Sequence, residues 1–155
     1  MDGTARTPEP QVWPTLRARD ALALIRFLTE AFGFREALVV TGQGAEADTV
    51  HHAELSWPEG GAVMLGSVRG GGEDPWALEP GGFGAYAVTA DPDALFARAR
   101  AAGAEVLREP YDTDHGSRDF LVRDPEGNRW CFGTYRGAPR TGSGQVPARA
   151  GAPRD

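Results

Sequence analysis

His52 and Glu54 stand two residues apart in Thr49-Val50-His51-His52-Ala53-Glu54-Leu55-Ser56, a stretch that reads as a strand. Side chains at that spacing leave a strand from one face about 7 Å apart. An imidazole and a carboxylate so placed could act as general acid and base, or supply two ligands to a metal. His51 projects from the opposite face. The third histidine, His115, falls in the polar turn Asp112-Thr113-Asp114-His115-Gly116, where it could join Asp114 or a cavity histidine. A simpler reading competes with these: His52 and Glu54 hydrogen-bond to each other or to backbone on a half-buried strand, and His115 is a solvated turn residue. Arg118 also has two possible roles. Its planar fork could clamp a carboxylate or phosphate beside a cavity, or it could pair with Glu54 or Asp119 across neighbouring strands. Cys131 is the single cysteine, and its one basic sequence neighbour able to activate it is Arg129, so a small apolar filler is the expected role.

Composition removes several kinds of chemistry. All 16 basic side chains are arginine, so Schiff-base chemistry on a lysine, including lysine-anchored pyridoxal phosphate, is excluded. The net charge of −6 gives no reason to expect nucleic acid or an anionic membrane as partner. One cysteine forbids an internal disulfide and suits a reducing cytoplasm. Met1–Pro10 is polar and proline-rich, and no apolar run reaches bilayer-spanning length, so a cytoplasmic location is expected.

These residues need a scaffold, and the chain describes one twice. Val12–Ala18 reads as a short strand. Asp20 then caps a helix carrying Leu24, Ile25, Phe27, Leu28, Ala31 and Phe32, which Gly33 stops. Leu38–Thr41, Thr49–Ser56 and Gly61–Ser67 read as strands, the last two joined by Trp57-Pro58-Glu59-Gly60. A glycine-rich stretch, 68–82, separates this unit from a second. There Phe83–Thr89 is a strand, Asp91–Ala102 a helix capped by Asp91 or Asp93 and stopped by Gly103, and Val106-Leu107 opens another strand. Ser117–Tyr135 is a hairpin whose turn, Asp124-Pro125-Glu126-Gly127-Asn128, has a preset φ at Pro125 and tolerance of positive φ at Gly127. Met64-Leu65-Gly66-Ser67 recurs as Cys131-Phe132-Gly133-Thr134. The expected architecture is α+β: tandem βαβββ modules over 11–67 and 83–137, with curved mixed sheets around a cavity. Flexible segments are expected over 1–10 and 138–155, with the linker at 68–82.

Leu16-Arg17-Ala18-Arg19-Asp20 leading into Phe27…Ala31-Phe32-Gly33-Phe34, His52-Ala53-Glu54-Leu55 before Met64-Leu65-Gly66, and Gly116-Ser117-Arg118 before Asp124–Trp130 together resemble the vicinal-oxygen-chelate superfamily, over roughly residues 11–137. That superfamily includes glyoxalase I, extradiol dioxygenases, fosfomycin-resistance enzymes and bleomycin-binding proteins. The resemblance implies a glyoxalase/bleomycin resistance fold and, in its enzymes, a divalent metal held by His, Gln or Glu from the first and last strands of each half. Those positions fall near Trp13, Leu65, Ala85 and Cys131. A shift of one residue offers Val12, Pro14, Met64, Gly84, Tyr86, Trp130 or Phe132, and none of these is a histidine or carboxylate. The expectation is therefore a cavity without a resident metal or cofactor that binds or sequesters a hydrophobic or aromatic small molecule, such as an antibiotic. Its candidate ligand-binding residues are Trp13, Thr15, His52, Glu54, Leu65, Tyr86, Arg118, Phe120, Trp130 and Cys131. The alternatives are a metal-dependent lyase, isomerase or dioxygenase with non-standard ligands, or a metal-independent biosynthetic enzyme with His52 and Glu54 as acid and base. The same aromatic residues could instead simply fill the core. Trp76, in the linker, could be a lid or a dimer contact. The resemblance also implies a homodimer.

Overall fold

Asp20 and Asp91 each do what a cap residue does: their carboxylates accept from the backbone N–H of Ala23 and Ala94, both at 3.0 Å, and a helix starts after each. The computed structural model describes residues 10–70 and 72–139. Within them the chain runs β1 (Thr15–Ala18), α1 (Ala21–Phe27), β2 (Arg35–Thr41), β3 (Val50–Ser56), β4 (Ala62–Ser67), β5 (Gly84–Val88), α2 (Pro92–Ala101), β6 (Glu105–Asp112), β7 (Arg118–Arg123) and β8 (Arg129–Gly133). The segments expected to be flexible, 1–10 and 138–155, lie almost wholly outside the described residues.

The strands form two four-stranded mixed sheets, ordered β1-β4-β3-β2 and β5-β8-β7-β6. In each, the first strand pairs parallel with the last and the other pairings are antiparallel. The repeat is thus two copies of one topology. Three expected elements differ in extent. β1 begins at Thr15, and the Pro14 carbonyl accepts from Met64 N–H at 2.9 Å as the ladder opens. β2 and β6 are longer than their apolar cores, because each pairs along the full edge of its sheet with register shifts on the way. The first helix is α-helical only to Phe27 and continues as a π-helical stretch, Leu28–Phe32, ended by Gly33 at φ 89°.

That wider turn is where the modules meet. The Phe32 ring lies 5.6 Å from Trp130 and 4.7 Å from Phe132, and Phe34 and Trp57 join the same cluster. Arg98 on α2 donates to the carbonyls of Glu30 and Thr29 in the last turn of the helix, the latter also accepting from Gly33 N–H. Trp57 Nε1–H donates to the Val88 carbonyl at 2.8 Å. At the other end of the seam Asp20 N–H donates to Glu126 in the β7–β8 turn. The two modules share one core, built from the helix-bearing face of each sheet. Burying an aromatic ring of this kind is worth about 1.5–3 kcal/mol. The opposite face of each sheet carries no helix among the described residues, and it positions the residues considered next.

Candidate ligand-binding site

Strand pairing decides which side chains share a face, because alternate residues point to opposite sides. In the first sheet Leu16, Leu65 and Ala53 are paired neighbours and all are buried toward α1. The row one residue away, Thr15–Met64–Glu54–Leu38, therefore crosses all four strands on the open face. Arg17 and Gly66 form the next row on that face, and Val40 pairs with His52. In the second sheet Ala85, Trp130 and Val122 point toward the core, and the row Tyr86–Cys131–Leu121–Arg108 lies open.

The register sorts the candidate positions by face. Leu65, at 2% exposed, and Ala85 face the helices, so their open-face counterparts are Met64 and Tyr86. Phe120 and Trp130 are core residues, 0% and 1% exposed, and Trp130 also reaches the wall of a cavity. Trp130 Nε1–H donates to Asp124, which also accepts from Asn128 within the hairpin turn. Trp13 precedes β1 and donates its indole N–H to the Pro10 carbonyl. Thr15, His52, Glu54, Tyr86 and Cys131 do lie on the open faces. Arg118 forms an ion pair, though not with Glu54 or Asp119. It points toward α2, donating to Asp93 at 2.8 and 2.9 Å and to Asp112 at 3.1 Å, and so ties β7 to the helix start.

Small residues make room for polar groups on both open faces. A Cβ at Gly133 would collide with the Asp119 carboxylate and the Tyr86 hydroxyl. Ser117 donates to that carboxylate, and the Tyr86 hydroxyl donates to the Tyr135 carbonyl at 2.8 Å. Burial raises the Tyr86 pKa, with Asp119 adding to the rise and Ser117 opposing it. Burial, reinforced by Asp119, pushes the Cys131 thiol up to about 11. On the first sheet His52 Nε2 and Glu54 Oε1 are 2.9 Å apart.

Two cavities lie near the start of β1, one toward β5 and the β3–β4 turn, the other toward the linker. One, of about 280 Å³, is bounded by a mostly apolar wall that includes the rings of Phe34, Trp57, Tyr86 and Trp130, with Glu59 at its polar side. The other, of about 340 Å³, lies under the linker between Thr15, Arg17, Leu78, Glu79 and Phe83. Sequence reasoning missed Phe34, Trp57 and Arg17 as cavity residues. Gly66 opposite Arg17 was the available signal for the last of these.

The divalent metal that the fold implies would need donors that this seam does not present. The two strand pairs flanking the seam offer a hydroxyl, a thioether, a phenol and a thiol, at Thr15, Met64, Tyr86 and Cys131. A catalytic divalent ion takes three or four imidazole, carboxylate or thiolate ligands, and this thiol resists ionisation. His52 and Glu54 supply two, and among the described residues no third His, Cys, Asp or Glu completes a set. His115 lies in the other module, its ring against Tyr135. The residues do not fit a superfamily metal.

Comparison with known proteins agrees with this architecture. The family model described as Glyoxalase/Bleomycin resistance protein/Dioxygenase superfamily matches residues 11–132. The crystal structure of TioX from Micromonospora sp. ML1 is similar, with 29% identity, 81% of this chain and 98% of that chain covered, and a TM-score of 0.65. A glyoxalase-related enzyme from Fulvimarina pelagi (24% identity, 90% and 99% covered, TM-score 0.61) and UcmS2 (17%, 83% and 100%, 0.61) share the fold. The comparison with curated proteins found no match.

Proposed function

Because the chain belongs to the Glyoxalase/Bleomycin resistance protein/Dioxygenase superfamily, we propose that it is a small-molecule-binding protein that takes up a hydrophobic or aromatic compound, such as an antibiotic, without a resident metal. One observation carries this reading. Where superfamily chemistry needs imidazole and carboxylate ligands, the open-face pairs are Thr15–Met64 and Tyr86–Cys131, beside an aromatic seam cavity. A thioether and aromatic rings suit contact with a flat apolar molecule, and a few hydroxyls set its orientation.

A homodimer belongs to the same proposal. Leu38, Val40 and Tyr86 are 45%, 42% and 44% exposed on the open faces, and Trp76 on the linker is 62% exposed. A second copy covering them would bury apolar surface that water now meets. A cytoplasmic location is consistent with the free Cys131. No helix among the described residues is long and apolar enough to cross a membrane.

The test is a tryptophan-fluorescence titration, in the presence of a chelator, against planar aromatic antibiotics and metabolites. Saturable binding that weakens at least tenfold in Tyr86→Ala is expected, with sedimentation showing a dimer at micromolar concentration. No saturable change across the set would defeat the binding reading, and a strict monomer would defeat the dimer. A second reading is favoured by the 2.9 Å His52–Glu54 pair alone: metal-independent proton transfer with His52 as base and Glu54 orienting it. Turnover of a bound compound that disappears in His52→Ala would put it first.

A further inference from the structure

Five polar or charged side chains are buried among the described residues: Arg17, Ser117, Asp119, Asp124 and Asn128. Four of them satisfy one another or neighbouring groups within the second module, Ser117 with Asp119 and Asp124 with Asn128. Arg17 is different. It is 9% exposed, yet its guanidinium makes no hydrogen bond or ion pair with any described residue. None of its nitrogens is sealed from solvent without a partner, so the fork opens onto the seam cavity of about 340 Å³. A mostly buried guanidinium with no protein partner is left to water or to a ligand, because arginine sheds its proton too reluctantly to become neutral instead.

The space around it is shaped for the fork. Gly66 pairs with Arg17 across β1 and β4, and a Cβ at position 66 would sit 2.5 Å from Arg17 Nη1. The guanidinium thus lies across the bare backbone of β4, on the same face as Thr15 two residues earlier. Phe83 and Leu78 supply an apolar wall opposite. Burial and Arg69 lower the Arg17 pKa while Asp74 opposes them. Arg17 and Glu79 are the charged residues that line this cavity, and Arg69 and Asp74 act on the Arg17 charge from beyond its lining.

We propose that Arg17 anchors a carboxylate on a small molecule held in this cavity, whose apolar body lies against Phe83 and Leu78. The inference goes beyond the binding reading above, because this cavity shares no lining residue with the aromatic one, and it names the class of ligand: a hydrophobic or aromatic monocarboxylic acid. Bidentate pairing with a planar carboxylate satisfies the fork and neutralises the buried charge in one contact.

The experiment compares 2-naphthoate with its neutral isostere 2-naphthamide, by calorimetric titration of the full chain. Wild-type protein is expected to favour naphthoate by about 10- to 100-fold, the range of a charge-assisted hydrogen-bond pair. In Arg17→Met and Arg17→Gln that ratio should fall to about one. The wild-type ratio decides the matter even where a variant folds poorly. Equal affinity of the two probes for wild type, or a preference that survives both substitutions, overturns the Arg17 assignment and leaves the binding reading standing. Tighter binding of 2-naphthyl phosphate than of naphthoate overturns the carboxylate class. Binding of neither naphthyl probe at millimolar concentration overturns the anchor.

Discussion

Replacing Asp124 by alanine should cost about 4 kcal/mol, because this one carboxylate organises the β7–β8 turn. Asp124 is 4% exposed and accepts four hydrogen bonds: Oδ1 from the backbone N–H of Glu126 and Asn128, Oδ2 from Asn128 Nδ2 and Trp130 Nε1, all between 2.9 and 3.0 Å. The Glu126 N–H can turn to water. The other three donors belong to residues 0% and 1% exposed, and a stranded buried donor costs about 1–3 kcal/mol. Three at the lower part of that range, less what is recovered by no longer burying a carboxylate, give about 4 kcal/mol. For a chain of 155 residues each kcal/mol moves Tm by about 3 °C, so a fall of about 12 °C is expected. Asp124→Asn keeps one acceptor oxygen and should lose about half as much. Urea denaturation followed by tryptophan fluorescence reads both, since Trp130 reports directly on the turn. The same turn presents Glu126 to the start of α1, so the loss should appear as one transition for both modules. A stability change below about 1 kcal/mol for Asp124→Ala would refute the reasoning.

Two further outcomes follow from the open face of the second sheet. Cys131, with its thiol pushed up to about 11, should react with iodoacetamide at pH 8 about a hundredfold more slowly than an unhindered thiol, and unfolding in urea should restore the normal rate. The ordinary thiol value of 9.0 lies below the folded one, so the folded state holds its proton longer. The contribution to stability is whole below pH 9 and is lost as pH rises from 9 to about 11; a fast folded-state reaction at pH 8 would contradict this. Gly133→Ala, which drives a methyl group into Asp119 and the Tyr86 hydroxyl, should destabilise by about 1–3 kcal/mol in a denaturation curve. It should also weaken ligand binding by moving Tyr86, and a neutral result on both would show that the glycine is not needed there.

Much of the scaffold was legible because it rests on local chemistry. Asp20 and Asp91 as caps, Gly33 and Gly103 as stops, and the Asp-Pro-Glu-Gly-Asn turn each act within a few residues of themselves. The repeat of Met64–Ser67 in Cys131–Thr134 carried the tandem βαβββ topology, and the structure has it. What local patterns leave open is the face. Leu65 and Met64, Ala85 and Tyr86, or Trp130 and Cys131 are adjacent, and a one-residue change in register sends each to the opposite side of its sheet. Ladder pairing between strands distant in sequence settled that choice. Partners were equally out of local reach: Arg118 found Asp93 on a helix 25 residues away, and Trp57 found the Val88 carbonyl in the other module. Arg17 enters the sequence reading only as part of the Leu16–Asp20 stretch, with no signal of burial. The folding of the linker and Phe83 beside β1 buries most of it without giving it a partner among the described residues. The chain by itself therefore determined the elements, their order and the family. The tertiary structure decided which side chains meet at the seam, because that depends on pairing and packing between residues that no short-range rule connects.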